Sequence, residues 1–263
     1  MPTPAHSRSE LVGASGALPQ GRRHGGRQSG TDNEGHAARR RYSPLLANIY
    51  LHYCLDLWFT LREKRKLKGY AQLVRYADDF VIGCEHQHEA LVILNDLKAR
   101  LAEFGLELAE DKTRIIEFGR FAAKSRKRAA GTRPETFDFL GFTHYCSTTR
   151  DGRFALKLKT SRKKYAANVK ALTRWIKSVR NELPLVIIWG KLALKLKGHY
   201  NYYGVSGNFE SINAYYQHVL LTMFKWTNRR SQKKSWNWES YRKYIRQHPL
   251  PPPKLTYAIY NTW

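Results

Sequence analysis

Leu46, Ile49, Tyr53 and Leu57 recur at helical spacing behind Ser43-Pro44, an N-cap residue followed by proline in the first helical position. The pattern predicts a helix that ends in the basic run Arg62–Lys68. The period then shortens. Leu73-Val74 and Phe80-Val81-Ile82 read as two strands, rich in β-branched and aromatic residues, closing on a tight turn at Tyr76-Ala77-Asp78-Asp79. Ile93, Leu97, Leu101 and Phe104 mark a second amphipathic helix from about Gln87 to Phe104, with Gly105 as its stop. Strands are expected near Leu106–Leu108, Arg114–Phe118 and Phe137–Cys146, with the basic loop Lys124–Arg133 between them. A further hairpin over Thr143–Leu158 turns at Arg150-Asp151-Gly152.

Beyond it the pattern is helical. Val169, Leu172, Ile176 and Val179 mark one stripe. Trp189, Leu192, Leu196 and Tyr200 mark a second, and Phe209, Ile212, Tyr216, Val219 and Met223 a third, before a shorter helix near Trp236–Gln247. Residues 1–42 show no hydrophobic period and cannot offset their chain entropy by burial, so they are expected to be disordered. The fold class is α+β: an antiparallel sheet with helices over 43–158, an all-helical module over 159–248 and a Pro-rich tail over 249–263.

Charge decides the partner. The chain carries 46 Lys+Arg against 21 Asp+Glu, a formal net charge of +25. From Lys157 to Trp263 there are 21 Lys+Arg and only 3 acids, against 25 and 18 in the first 156 residues. A basic helical module of that imbalance points to a polyanion, most simply nucleic acid, bound with a steep salt dependence. Arg162, Lys163, Lys164, Lys191, Lys195 and Lys197 are the candidate phosphate contacts, with Tyr202 and Tyr203 as candidate stacking rings. Trp175, Trp189, Tyr216 and Phe224 lie on or near the apolar stripes and read as core. Cys54, Cys84 and Cys146 form no Cys-x-x-Cys pair, hence neither a disulfide framework nor a zinc site. No run is long enough for a membrane span and the first residues lack a signal-peptide core, so a cytoplasmic location is expected.

Two adjacent carboxylates at a hairpin tip repel each other, and a divalent cation would relieve the repulsion; a solvated Asp-Asp turn is the plain alternative. Tyr76-Ala77-Asp78-Asp79 between apolar strands resembles the metal-binding hairpin of reverse transcriptases. Ser43–His52, Gly105–Thr113, Phe137–Phe142 and Leu196–Gly204 resemble, in order, further segments of the reverse transcriptase/maturases encoded by group II introns: the helix after their Pro-Gln-Gly-Gly loop, the next strand, the primer grip and the maturase (thumb) core. The resemblance covers roughly residues 43 to 250.

It implies a partial palm followed by a helical thumb/maturase domain, RNA-directed DNA polymerisation, and two Mg²⁺ ions held in part by Asp78, with Asp79 supporting the cluster. Tyr76 and Ala77 would lie near nucleotide and primer, Lys112 near the triphosphate, and Phe139, Leu140, Gly141 and Phe142 would hold the primer end. Plain readings stand beside these: Lys112 as a surface lysine, Phe139–Phe142 as a core strand. Group II intron RNA and a DNA primer or target are the implied partners. The family's other catalytic Asp lies on an earlier strand, yet only 42 residues precede Ser43 and their sole aspartate is Asp32. Gly35–Tyr42 can be encoded as GGG CAC GCC GCA AGG CGG CGT TAT, which read one base later gives Gly-Thr-Pro-Gln-Gly-Gly-Val, the expected loop. The resemblance therefore leads to the expectation of an N-terminally truncated member, not polymerase-active alone, with out-of-frame translation of residues 1–42 as the hypothesis that explains it. An RNA-binding maturase fragment and a non-functional remnant are the alternatives.

Overall fold

The structure, a computed structural model, describes residues 10–15, 44–122, 134–230 and 236–258. It divides into two compact units, Met1–Leu140 with Cys146–Leu156, and Gly141–Tyr145 with Lys157–Trp263.

In the first unit, strand β1 (Glu10–Ser15) is followed by helix α1 over 44–66, whose regular turns are interrupted by π-helical segments at His52–Asp56 and Phe59–Glu63. Strands β2 (Ala71–Tyr76) and β3 (Asp79–Cys84), helix α2 (Gln87–Glu103) and strand β4 (Arg114–Glu117) complete a four-stranded sheet of order β2-β3-β1-β4. Every pairing in it is antiparallel. Leu51, Cys54, Leu55, Trp58 and Phe59 of α1, Phe80 and Ile82 of β3, and Ile93, Leu97 and Leu101 of α2 form one core. Gly105 ends α2 at φ 65°, where the Leu106 amide reaches back to the Leu101 carbonyl, and only glycine adopts that conformation without strain.

Three expectations need correction here. Residues 1–42 are not wholly without structure: Glu10–Ser15 is a strand with backbone partners on both sides. A central strand is held by its two ladders and needs no amphipathic period of its own. Residues 1–9 and 16–43, including the segment compatible with a frame shift, lie outside the described residues. Next, the expected stripe of α1 faces outward. Leu46, Ile49 and Tyr53 are 61, 47 and 60% exposed. The wide π turns put Leu51, Cys54, Leu55, Trp58 and Phe59 inward instead. Last, Leu106–Leu108 forms no strand; Leu106 is buried below the α2 stop, and Ala109–Thr113 closes a turn through Lys112 N–H and Thr113 N–H to the Ala109 carbonyl.

A second sheet has the order β5 (Thr136–Phe139), β6 (Phe142–Thr148), β7 (Phe154–Thr160). Leu140 (φ 50°) and Gly141 (φ 81°) form the loop between β5 and β6, the double left-handed signature of a tight hairpin. Gly152 (φ 76°) serves the β6–β7 turn where the sequence placed it.

The second unit packs helices α3 (Arg162–Val179), α4 (Leu185–Tyr203), α5 (Phe209–Thr227) and α6 (Trp238–Gln247). Leu172, Ile176, Ile188, Leu192, Leu196, Ile212, Val219 and Met223 fill its centre. Asn208, fully buried before α5, fastens the chain start of α3 to the end of α4. Its Oδ1 accepts from the Thr160 amide at 2.7 Å, and its Nδ2 donates to Thr160 Oγ1 at 2.9 Å and to the Tyr203 carbonyl at 2.8 Å. The chain after α6 is also fixed: Leu250 is buried, Tyr200 Oη donates to the Pro251 carbonyl, and Val205 bridges Tyr257. The α+β class is thus observed, antiparallel sheets with helices followed by a helical unit.

Candidate carboxylate hairpin and basic helical surface

Tyr76 pairs with Asp79, so Ala77 and Asp78 alone make the loop between β2 and β3. Ala77 sits at φ 55°, an uncommon region for a residue with a Cβ. Tyr76 and Asp78 are exposed and Asp79 is half-buried. The loop therefore offers the Asp78 carboxylate to solvent at the tip. Lys112 is exposed in the turn just before β4, and β4 begins opposite Gly13 while Ser15 lies opposite Asp79. Lys112 and the carboxylates consequently share one end of the sheet, two strands apart, about 10 Å by strand spacing.

What holds the strained loop is a residue that sequence reasoning passed over. Arg75 donates from Nη1 to the Ala77 carbonyl at 2.8 Å and to Asn48 Oδ1 at 3.0 Å. Its Nε and Nη2 grip Asp56 Oδ1 and Oδ2 at 2.7 and 2.6 Å, a bidentate pair. Burial works to raise the Asp56 carboxyl, but the Arg75 hydrogen bonds and charge outweigh it and hold the group below its ordinary value. The signal was available: Arg75 shares the inward face of β2 with Leu73, and an ion there requires a partner. Asp56, Arg75, Phe59, Thr60, Lys64, Gln72 and Leu73 line a cavity of about 320 Å³ beside this pair. Arg75→Met is expected to destabilise the first unit by about 1–2 kcal/mol in urea titration at pH 7. Because the folded Asp56 carboxyl lies below its unfolded value, its contribution is present at neutral pH and lost as pH falls below about 4. The variant's deficit should shrink accordingly in acid.

Asp78 and Asp79 are the residues able to hold a divalent cation. A two-ion centre needs donors on a second element. The strand paired with β3 places Ser15, not an acid, opposite Asp79. Among the described residues no group of three or more His, Cys, Asp or Glu side chains converges. Among the described residues the donor set fits one side of such a centre and not the whole.

In the helical unit, Arg162, Lys163 and Lys164 are all exposed in the first turn of α3, with no acid among them. Cations oppose the helix dipole at an N-terminus, whereas the free N–H groups and the cations together favour an anion. Lys164 also lies near the β5–β6 loop: a Cβ on Gly141 would meet Lys164 Cγ at 3.5 Å and Tyr203 Oη at 3.4 Å. The Phe142 ring stacks on Tyr202 with centroids 5.9 Å apart. Gly141, Phe142, Lys164, Tyr202 and Tyr203 are thus brought together. Tyr202 is 53% exposed and can present a face, but Tyr203 at 8% is core, a correction to its reading as a stacking ring. Phe139 and Leu140 are half-buried in the hairpin. Lys191, Lys195 and Lys197 are exposed along α4, and Lys195 lies over the Trp175 ring at 4.8 Å. Trp189 is buried, and Trp175, Tyr216 and Phe224 are half-buried against the core.

No described helix is long and apolar enough to cross a membrane. All three cysteines are free, Cys54 and Cys84 being buried.

The first unit thus carries a carboxylate-tipped hairpin in an antiparallel sheet backed by helices, and the second is strongly cationic. Residues 41–144 match the family Reverse transcriptase (RNA-dependent DNA polymerase). That segment contains the hairpin, Lys112 and the Phe139–Phe142 turn, and the family implies nucleic-acid binding and generally uses Mg²⁺. A comparison with curated proteins finds no match.

Proposed function

We propose that this chain is a group II intron-type reverse transcriptase/maturase relative. Its helical unit binds intron RNA and assists the folding that splicing requires, without polymerising DNA on its own. The observation that carries the reading is the concentration of 21 Lys+Arg against 3 acids from Lys157 to Trp263, including three cations set against the α3 dipole. The half-complete donor set at Asp78 and Asp79 supports the second clause. A reducing, cytoplasmic setting suits the three free thiols.

Polymerisation is the second reading, favoured by the Tyr76–Asp79 loop itself. Extension of a DNA primer on a homopolymer RNA template with Mg²⁺ separates the two. Wild type and Asp78→Asn are both expected to give background; robust extension by wild type that Asp78→Asn abolishes would replace the first reading. For RNA, binding to a group II intron transcript should exceed binding to tRNA at the same ionic strength, and equal affinity for both would reduce the helical unit to a generic polycation.

A further inference from the structure

The helical unit contains a second cationic centre, at the opposite end of α3 from Arg162. The Trp226 ring is surrounded by Lys177 (4.6 Å from Nζ to the ring centre), Arg180 (4.8 Å from Cζ), Lys225 (5.8 Å) and Arg229 (5.1 Å). None of the four has an ion-pair partner among the described residues; Glu182 and Glu239, the nearest acids along the chain to the two pairs, bridge to none of them. Arg180 adds an independent feature: its Nε and Nη1 are buried and have no hydrogen-bond acceptor among the described residues. Buried N–H donors are normally satisfied, and charged ones most of all.

Two ordinary explanations cover only part of this. Cations at the C-termini of α3 and α5 complement the helix dipoles, which accounts for their sign but not for their convergence on one ring. Cation–π attraction favours a cation over a ring face, yet an indole has two faces and four cations compete for them while repelling one another. A tetrahedral dianion or diester would accept the Arg180 donors and neutralise the crowding, with the guanidinium as a planar fork for its oxygens.

We propose that Trp226, Lys177, Arg180, Lys225 and Arg229 form a binding site for a backbone phosphate of the RNA, separate from the α3 N-terminus. The site rests on the RNA-binding function proposed for the helical unit. The indole forms its floor, and Lys177 and Arg229 close its rim.

The test uses the full chain and two double variants of equal charge change, Lys177→Gln/Arg229→Gln in the site and Lys243→Gln/Arg246→Gln on α6. Binding to the intron transcript is measured against salt. The site variant is expected to lower affinity about tenfold and to flatten the slope of log K against log salt by about 0.7, the share of the one phosphate no longer neutralised. The α6 variant should change both by much less. Thermal melting of the free protein is the second readout. Relief of repulsion should raise the midpoint of the site variant, whereas cations held only by the ring would lower it. A third arm labels the protein with 5-fluorotryptophan, assigns the Trp226 resonance with Trp226→Phe, and titrates tripolyphosphate, which should shift that resonance in wild type and not in the site variant. Equal effects of the two double variants on RNA binding, or a Trp226 resonance indifferent to tripolyphosphate, overturns the site while leaving RNA binding standing. Absence of RNA binding by wild type overturns both, and the fluorine signal then shows whether an anion site exists apart from RNA.

Discussion

Asn208→Ala is expected to lower the stability of the helical unit by about 3 kcal/mol, through loss of hydrogen bonds to buried groups. The side chain is fully buried and makes three bonds shorter than 3 Å, so nothing in water replaces them. Its removal orphans the Thr160 amide and leaves Thr160 Oγ1 without a partner in a site where Thr160 is itself buried. The Tyr203 carbonyl suffers less, because the Val205 amide still donates to it at 2.8 Å. Asn208→Asp separates the hydrogen-bond argument from volume. The isosteric carboxylate keeps the acceptor for Thr160 but turns a second acceptor toward the Tyr203 carbonyl and buries a charge. It should be at least as destabilising at pH 7 and should recover as pH falls, since burial raises a carboxyl's pKa and the protonated form can donate. Urea unfolding followed by circular dichroism at pH 7 and pH 5 reads both variants; a loss below about 1 kcal/mol for alanine would refute the role given to this residue. Function follows the same contact. Asn208 holds Thr160 immediately before Ser161, the N-cap that accepts from the Lys164 amide, so the cations of the first turn of α3 should lose their fixed positions and RNA affinity should fall with stability.

The sequence pattern located the elements whose burial it could express. The β2–β3 hairpin, the α2 stripe of Ile93, Leu97 and Leu101, and the α4 stripe of Trp189, Leu192, Leu196 and Tyr200 are all where the apolar period put them, because each has one face against a single core. It misled at α1, where Leu46, Ile49 and Tyr53 have a helical period and still face solvent. Periodicity identifies a face but not which of two apolar faces is covered, and the π turns at His52–Asp56 and Phe59–Glu63 rotate the choice. It was silent on β1, since Glu10–Ser15 takes its stability from backbone ladders on both edges. At the carboxylate loop the acids were legible as neighbours in sequence. Arg75 was legible there only as an ion on the inward face of β2 in need of a partner; that Asn48 and Asp56 supply it was not, because their meeting depends on long-range packing. The same holds for Trp226: four cations spread from Lys177 to Arg229 read as a solvated surface until the two helix ends bring them to one ring.

Acidification from pH 7 to about 4 is expected to remove about 2 kcal/mol from the helical unit through one imidazole, the roughly 1.36 kcal/mol per pKa unit being discounted for partial exposure. His199 lies in the Leu196–Gly204 segment, its ring stacked on Tyr215 at 3.9 Å and tilted against Tyr203 at 4.7 Å. Burial among these rings lowers its pKa from 6.5 to about 4. The same burial raises the Tyr215 hydroxyl to about 12, so that neighbour stays uncharged throughout. No carboxylate bonds to the imidazole among the described residues, so no anion there compensates a proton placed on the ring. With the folded value below the unfolded one, the unfolded chain binds more protons between about pH 6.5 and 4. Stability is therefore full above about pH 6.5 and declines steadily as pH falls toward 4. This window lies above the one set by Asp56, whose contribution disappears only below about pH 4, so the two are separable in a single titration. His199→Phe keeps an aromatic ring against Tyr215 and carries no proton. It should flatten the upper window and leave the lower one intact, whereas Arg75→Met should do the reverse. An unchanged slope between about pH 6.5 and 4.5 in His199→Phe would show that the imidazole is solvated in the folded protein.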